Sequence, residues 1–257
     1  MNTTAISGTA SEVMIEQFVA SGIKYVFYNS GSREALFFDA LNNNPKIHGV
    51  LALHEGTVAS MAGAYTQVNN DPSVMLVHLG AGLAQSMGQL YNIWYSGLPV
   101  IVVTFFGDSG SYADRINLDL NSSFSPTSIS APLTKHSWTV LEPQGLPQVI
   151  HKAKTVATTF PQGPVHIAVH DKMISNDRVN ADIIQSNLNP LRSGYPSDGD
   201  VEQILSAIDK SNNPLLYVGD GVWKTNSEQQ VTELAEYFGL GISCPEVDQR
   251  SISFKHP

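Results

Sequence analysis

Short runs of consecutive apolar residues alternate with segments of helical periodicity along most of the chain. Apart from His166, the runs are apolar at every position rather than at every second position, which is typical of strands buried on both faces of a sheet. They occupy residues 25–28, 50–53, 74–77, 100–103 and 165–169. The alternation therefore predicts an α/β fold with a doubly wound parallel sheet.

Helix signals fall between these runs. Thr9 and Glu12 have the spacing of a capping box, so a helix is predicted to begin there. Ser32 is predicted to cap a helix that ends near Leu41. The other predicted helices occupy residues 55–67, 82–96 and 146–159.

The pattern is lost between residues 172 and 197, where Asn, Ser, Pro and Arg are scattered. We therefore predict an α/β domain over residues 1–171, a linker over 172–197 and a second α/β domain over 198–257. Helices are expected at 201–210 and 227–238, with strands at 215–218 and 240–243. Because an α/β domain usually needs more than about 60 residues, the second domain is predicted to be incomplete.

The composition of the chain limits the classes of partner and binding site that can be expected. The chain has 14 Lys and Arg against 23 Asp and Glu, and this acidic balance argues against a nucleic-acid partner. Charged residues make up 14%, which favours a surface partly hidden in an oligomer. Cys244 is the only cysteine, so neither a disulfide framework nor a cysteine-rich metal site is predicted. With no signal peptide or membrane span in the sequence, we expect a cytoplasmic protein with no membrane partner.

Ligands of open parallel sheets collect at the carboxyl ends of the strands. Four polar segments are predicted to lie there: residues 29–32, 54–55, 78–82 and 105–108. Glu55 is either a carboxylate that favours the start of its helix or a half-buried group that exchanges a proton with a ligand nitrogen. His78 is either a structural histidine or part of the same site, and no histidine spacing predicts a metal.

A dinucleotide site is a weaker alternative. Gly80 and Gly82 match the first two positions of the dinucleotide-binding glycine pattern, but Gln85 occupies the third and opposes close packing of helix and strand. No Walker-type phosphate loop is present.

Several motifs, taken in order, resemble one family. They are VFYNSGSRE at 26–34, LALHE at 51–55, VHLGAG at 77–82, AQSMGQLYNIW at 84–94, PLTKHS at 132–137, QGPV at 162–165 and NPLLYVG at 213–219. The chain is similar over most of its length to the N-terminal, pyrimidine-binding domain of thiamine-diphosphate-dependent decarboxylases, and most similar to benzoylformate decarboxylases. Residues 213–219 resemble the entry to that family's middle domain.

The resemblance implies a role for each matching residue. Glu55 matches the glutamate that hydrogen-bonds the aminopyrimidine ring of thiamine diphosphate and exchanges a proton with it. His78 matches a histidine that handles protons during turnover, and Ser32 matches a serine that contacts the substrate carboxylate. Asn29 and Gly31 match residues that line the cofactor pocket. The implied activity is lyase chemistry on a 2-oxo acid.

The chain also departs from the family. Ser30 replaces a proline, and residues 105–107 (Phe-Phe-Gly) stand where many members have Gly-Gln. Tyr28, Phe105 and Phe106 are predicted to form an apolar wall that favours aromatic or branched 2-oxo acids.

The family binds the diphosphate and Mg²⁺ through a C-terminal domain with a Gly-Asp-Gly segment followed by Asn. Residues 219–221 copy Gly-Asp-Gly within the middle-domain match and lack the Asn, so no metal site is predicted in this chain. We therefore expect the N-terminal half of an oligomeric decarboxylase, completed by a diphosphate-binding chain or domain. An acetolactate synthase-type carboligase, a non-catalytic relative and an unrelated nucleotide binder remain alternatives.

Overall fold

The computed structural model describes residues 2–29, 31–107, 123–185, 194–245 and 252–253. The chain divides into two compact units, Met1–Arg192 and Ser193–Pro257. The boundary lies inside the segment predicted as a linker.

The first unit is built on a parallel sheet of six strands in the order β3-β2-β4-β5-β7-β6. These strands are β2 (Tyr25–Tyr28), β3 (His48–Leu51), β4 (Ser73–Leu76), β5 (Val100–Phe106), β6 (Ser137–Val140) and β7 (Val165–His170). The helices are α1 (Ala10–Ala20), α2 (Ala35–Asn43), α3 (Glu55–Asn69), α4 (Ala81–Tyr95) and α5 (Leu146–Thr158). The predicted fold class is confirmed.

Strand β4 shows why the runs are apolar throughout. Val74 and Leu76 belong to a core cluster with residues of α1, α2 and α5. Met75 and Val77 are equally buried but lie outside that cluster, because successive side chains of a strand point to opposite faces. Helix α3 packs on the strands at this second face and α4 packs against α3.

The capping box at the start of α1 is present as predicted. Thr9 Oγ1 accepts a hydrogen bond from Glu12 N at 3.2 Å, and Glu12 Oε2 accepts one from Thr9 N at 2.7 Å. The helix that was expected from Ser32 has a different start. Ser32–Glu34 is a 3-10 turn, and α2 follows it.

Three strands of the first unit were not expected from the sequence, namely β6 and the pair of β1 and β8. β1 (Asn2–Thr9) pairs antiparallel with β8 (Arg178–Gln185), and the buried Gln17 side chain binds both N and O of Ile184 at 2.8 and 3.1 Å. Part of the predicted linker is therefore a strand of the first unit. β8 alternates polar with apolar residues because one of its faces is exposed, so it has no all-apolar run.

The second unit has a parallel pair of strands with three helices. Its elements are α6 (Asp198–Lys210), β9 (Leu215–Tyr217), α7 (Gly221–Lys224), α8 (Glu228–Phe238) and β10 (Gly241–Ser243), with β9 paired to β10. The elements predicted from the sequence are present, and the short α7 is additional. Across the described residues of both units, every helix is too short or too polar to cross a membrane.

Candidate active site

The order of the strands identifies the edge where a ligand would bind. The chain passes from β2 outward to β3 and then crosses back to β4 on the other side of β2. The connections after β2 and β4 therefore leave the sheet in opposite directions, and such a switch point opens a crevice at the carboxyl ends of the strands. Asn29 follows β2 and His78 follows β4, so the crevice lies between two of the predicted segments.

Asn29 connects this crevice to the start of α3. Its Nδ2 donates to the carbonyl oxygen of Ala52 at 3.1 Å, and its backbone N donates to Leu76 O at 3.2 Å. His54 then caps α3 by accepting a hydrogen bond from Gly56 N at 3.0 Å. Glu55 is the first residue of α3, so these bonds place its carboxylate at the carboxyl edge of the sheet.

Glu55 and His78 meet at the first turn of α4. A Cβ added to Gly82 would lie 3.1 Å from Cβ of His78 and 3.4 Å from Oε1 of Glu55. The glycine thus lets both side chains approach the helix start. Glu55 is half-buried, and its carboxylate has no hydrogen-bond donor in the part of the chain that the structure describes. It remains available to a ligand.

The segment after β2 crosses this edge as a 3-10 turn. Glu34 Oε2 accepts a hydrogen bond from Gly31 N at 3.0 Å, which closes the turn. Arg33 extends the other way, where Nη1 donates to Gly107 O and contacts Asp171 Oδ2 at 3.1 Å. Ser32 is exposed between them, so its hydroxyl is accessible from solvent.

His78 contacts Glu34, a residue for which the sequence predicted no role. Its Nδ1 lies 2.5 Å from Oε1 of Glu34, whose side chain is completely buried. A Cβ at residue 31 would overlap the His78 ring, so Gly31 is required for the ring to lie where it does. The Gly31-to-Glu34 spacing repeats that of Thr9 and Glu12, and this spacing was the available signal for Glu34.

The electrostatics of this pair favour a charged imidazole. The short contact with the Glu34 carboxylate raises the pKa of His78 above its ordinary value and outweighs partial burial, which lowers it. The Arg33 guanidinium also lowers this pKa, whereas the Glu55 carboxylate raises it. His78 is therefore suited to donate a proton near neutral pH.

The aromatic wall predicted from the sequence is not present as such. Phe105 is 2% exposed and packs in the core against Phe37, with ring centroids 5.7 Å apart. Tyr28 packs at a tilt against Phe38, and Phe106 lies against a different ring, that of His170. Phe105 and Phe106 are neighbours in β5 and point to opposite faces of the sheet, whereas Tyr28 packs against the same core cluster as Phe105. Residue 108 and the replacement at Ser30 lie outside the described residues.

Comparison with known proteins gives a family match for part of the chain. Residues 8–117 match the family described as thiamine pyrophosphate enzyme, N-terminal TPP binding domain. Over these residues the first unit is similar to the N-terminal domain of thiamine pyrophosphate enzymes. The match contains Asn29, Glu55 and His78, and it ends before β6.

Acetolactate synthases are among the curated proteins that this chain resembles. The chain is 26% identical over 242 residues to the acetolactate synthase large subunit of Buchnera aphidicola from Acyrthosiphon pisum, and 25% identical over 242 residues to isozyme 3 of Escherichia coli. Each alignment covers 92% of this chain and 41% of the relative.

Solved structures give the same fold. A thiamine diphosphate-dependent 4-hydroxybenzoylformate decarboxylase from Rhodococcus jostii matches with a TM-score of 0.78 and 25% identity, over 97% of this chain and 46% of that one. A thiamin diphosphate-dependent enzyme from Mycobacterium smegmatis has a TM-score of 0.75 at 23% identity, over 98% of this chain and 47% of that one. The chain thus spans less than half the length of these relatives.

The particular resemblance to benzoylformate decarboxylases is not established by these relatives, because the two curated proteins above are acetolactate synthases. The comparisons support the coarser similarity of residues 8–117 to the N-terminal domain of thiamine pyrophosphate enzymes. In the second unit, Asp220 of the Gly-Asp-Gly segment pairs with Lys224. No group of metal-binding side chains occurs among the described residues.

Proposed function

We propose that this chain is the pyrimidine-binding part of a thiamine diphosphate-dependent enzyme that decarboxylates 2-oxo acids. The observation that carries the proposal is the meeting of Glu55 and His78 across Gly82 at the switch point of the sheet. A carboxylate without a donor and an imidazole with a raised pKa are complementary proton-transfer groups. The family match supports thiamine diphosphate as the cofactor.

The residues at the edge fit one end of this cofactor. Glu55 offers a carboxylate to a ring nitrogen, while Asn29 and Gly31 line the crevice beside it. When bound, thiamine diphosphate supplies a carbon nucleophile for the 2-oxo carbonyl and an acceptor for the electrons released with CO₂. The chain's own contribution is to orient the ring and to exchange a proton at the Glu55 carboxylate.

His78 and Ser32 act on the substrate in this proposal. Decarboxylation of a 2-oxo acid breaks the bond to the carboxyl carbon, and the remaining carbon must gain a proton to leave as an aldehyde. The His78 imidazolium is suited to deliver that proton. The exposed Ser32 hydroxyl is placed to hydrogen-bond the substrate carboxylate before it leaves.

A carboligase of the acetolactate synthase type is the second candidate, and the curated relatives favour it. In such an enzyme the same carbon forms a bond to the carbonyl carbon of a second 2-oxo acid instead of taking a proton. A proton donor beside that carbon promotes the aldehyde and competes with ligation. The Glu34-paired His78 is therefore the observation that favours decarboxylation.

The cofactor's diphosphate requires groups that the described residues do not provide. The described part of the chain contains no cluster of metal-binding side chains, and Asp220 is engaged by Lys224. We propose that a second chain or domain holds the diphosphate and Mg²⁺, since charge-assisted contacts contribute strongly to binding.

An oligomer is part of this proposal. Glu55 is the only charged residue in α3 and α4, and Tyr91, Trp94 and Tyr95 are exposed on α4. Such an uncharged, aromatic surface supports association with another chain.

The test is reconstitution. Calorimetry should show weak thiamine diphosphate binding to the 257-residue chain alone, and micromolar, magnesium-dependent binding without a partner would contradict the division into halves. Mixing with a polypeptide that bears the diphosphate-binding half should restore binding and CO₂ release. Aldehyde as the main product supports the decarboxylase, and a 2-hydroxy-2-alkyl-3-oxo acid supports the carboligase. Restored binding with neither product would identify a non-catalytic relative.

A further inference from the structure

Glu34 is a completely buried carboxylate at the edge where the ligand would bind. Oε2 accepts the hydrogen bond from Gly31 N at 3.0 Å, whereas Oε1 lies 2.5 Å from His78 Nδ1. Oε1 has no hydrogen bond of regular geometry among the described residues, and the His78 ring is the charged or polar partner in short contact with it. A buried carboxylate is costly unless it is paired, so the His78 ring is its counterpart in the fold.

The contact determines which nitrogen of His78 is free to act. Nδ1 faces Glu34 and must carry a proton for the contact to be favourable. Nε2 packs against Gly31 in the place that a Cβ would fill, and the His78 side chain is 27% exposed. Because Nδ1 faces Glu34, Nε2 is the nitrogen left to exchange a proton with a bound molecule.

Three charged groups surround the ring. Glu34 and Arg33 belong to the turn after β2, and Glu55 begins α3. The contact with Glu34 is the largest influence on the pKa of His78 and raises it, while Arg33 opposes this effect. The proximity of Arg33 makes Glu34 more important, because without it a cation would remain beside the imidazole.

We propose that Glu34 is a positioning residue that orients His78 through Nδ1 and keeps the imidazole protonated, so that Nε2 delivers the proton. In this step Nε2–H breaks, the proton bonds to the substrate carbon, and a neutral ring stays bound to Glu34 through Nδ1–H. The inference deepens the proposed function and rests on it for the fate of the proton. The Glu34–His78 pair itself can be tested without cofactor or turnover.

The first test is histidine NMR on the 257-residue chain over a pH range, with His78→Gln used to assign the signal. Glu34→Gln keeps the shape and an acceptor oxygen but removes the charge. The midpoint of His78 should fall by about 1–3 pH units. Glu12→Gln is the matched control, since Glu12 also accepts a hydrogen bond from the backbone N three residues earlier and lies in another helix. An unchanged midpoint in folded Glu34→Gln overturns the proposal.

A second variant keeps the test decisive if Glu34→Gln does not fold. Glu34→Asp keeps the charge but shortens the side chain by one methylene, so the His78 midpoint should fall less than in Glu34→Gln. Nitrogen shifts of the neutral ring should show the proton on Nδ1 in the wild type and a mixture of tautomers in Glu34→Asp. A proton on Nε2 in the wild type would contradict the geometry.

The third measurement distinguishes a failure of the Glu34–His78 pair from a failure of the proposed function. In the reconstituted enzyme, the alkaline limb of the kcat profile should move to lower pH in Glu34→Gln by the same amount as the NMR midpoint, with KM nearly unchanged. If the NMR midpoint moves but His78→Ala turns over normally, the pair exists and the assigned role of His78 is wrong. If kcat falls without any shift of the limb, Glu34 has only a structural role.

Discussion

His78 and His166 belong to the same parallel sheet, but their rings meet opposite surroundings. His78 follows β4 at the carboxyl edge, is partly exposed and contacts the Glu34 carboxylate, which raises its pKa. His166 lies within β7, is fully buried and bonds to two hydroxyls, Thr104 Oγ1 at 2.8 Å and Ser130 Oγ at 2.7 Å. Burial lowers the pKa of His166 to about 3.

The difference shows what each region of the sheet allows. A neutral imidazole has one donor and one acceptor nitrogen, and two hydroxyls satisfy either arrangement. His166 therefore stabilises the fold by linking β5, β7 and the segment around Ser130 while staying uncharged. At the edge, water and an adjacent carboxylate allow His78 to carry charge. The two regions should respond to substitution in opposite ways.

The largest effect is expected at the carboxylate that shares the edge with His78. Glu55→Gln should abolish exchange of the C2 hydrogen of thiamine diphosphate in the reconstituted enzyme, because the amide cannot exchange a proton with the ring nitrogen. Thermal unfolding should be almost unchanged. Glu228→Gln is the control, since Glu228 is also the first residue of a helix. Normal exchange in Glu55→Gln would remove Glu55 from the chemistry.

Substitution of His78 is expected to affect turnover more than stability. His78→Ala should lower kcat on 2-oxo acids by about 10²–10⁴-fold, the usual range for loss of a general acid. Cofactor affinity should barely change, because Glu55, Asn29 and Gly31 remain. Steady-state kinetics and calorimetry measure the two quantities. If the turnover of His78→Ala equals that of the wild type, the ring at the edge is structural, like that of His166.

Substitution of His166 should reverse this pattern. His166→Ala removes a fully buried ring and leaves the hydroxyls of Thr104 and Ser130 without their partner. The free energy of unfolding should fall by about 2–4 kcal/mol, from the cavity and the unpaired groups. Urea unfolding at pH 7.5 measures it, with the exposed His48→Ala as control. A loss below about 0.5 kcal/mol, as for a typical surface site, would contradict this account.

The sequence predicted the region around the edge better than the region around His166. The runs before Asn29 and His78, at residues 25–28 and 74–77, are apolar at every position, so both the sheet and its carboxyl edge follow from periodicity. Strand β6 was missed because Ser137 and Thr139 interrupt its apolar residues, and β6 is an edge strand. The role of His166 also depends on Ser130, 36 residues away, and no local pattern reports such a contact.

Within the candidate site, the sequence predicted that Glu55, His78 and the segment after β2 lie at the carboxyl edge of the sheet, and they lie there in the structure. Glu34 lies at the end of the motif at residues 26–34, but a glutamate in the first turn of a helix is ordinary by itself, so the sequence predicted no role for it. Its meaning comes from His78, which lies 44 positions further along the chain and beside it in space only because β2 and β4 are neighbours.

The smallest effect concerns stability at mildly acid pH, where the two histidines should act with opposite sign. The folded-state pKa of His166 is depressed, so the unfolded chain binds more protons below pH 6.5 and stability falls as the pH is lowered. Between pH 7.5 and pH 5 the free energy of unfolding should fall by about 2 kcal/mol, because each pH unit below 6.5 costs about 1.4 kcal/mol. The pKa of His78 is raised, so its contribution to stability is present below pH 6.5 and is lost as pH rises through the folded-state value.

Urea unfolding of the wild type, His166→Gln and His78→Gln at pH 5 and 7.5 separates the contributions of the two histidines. The advantage of the wild type over His166→Gln should shrink toward pH 5, and its advantage over His78→Gln should grow. Changes of the same sign in both variants would mean that the two rings do not differ in charge.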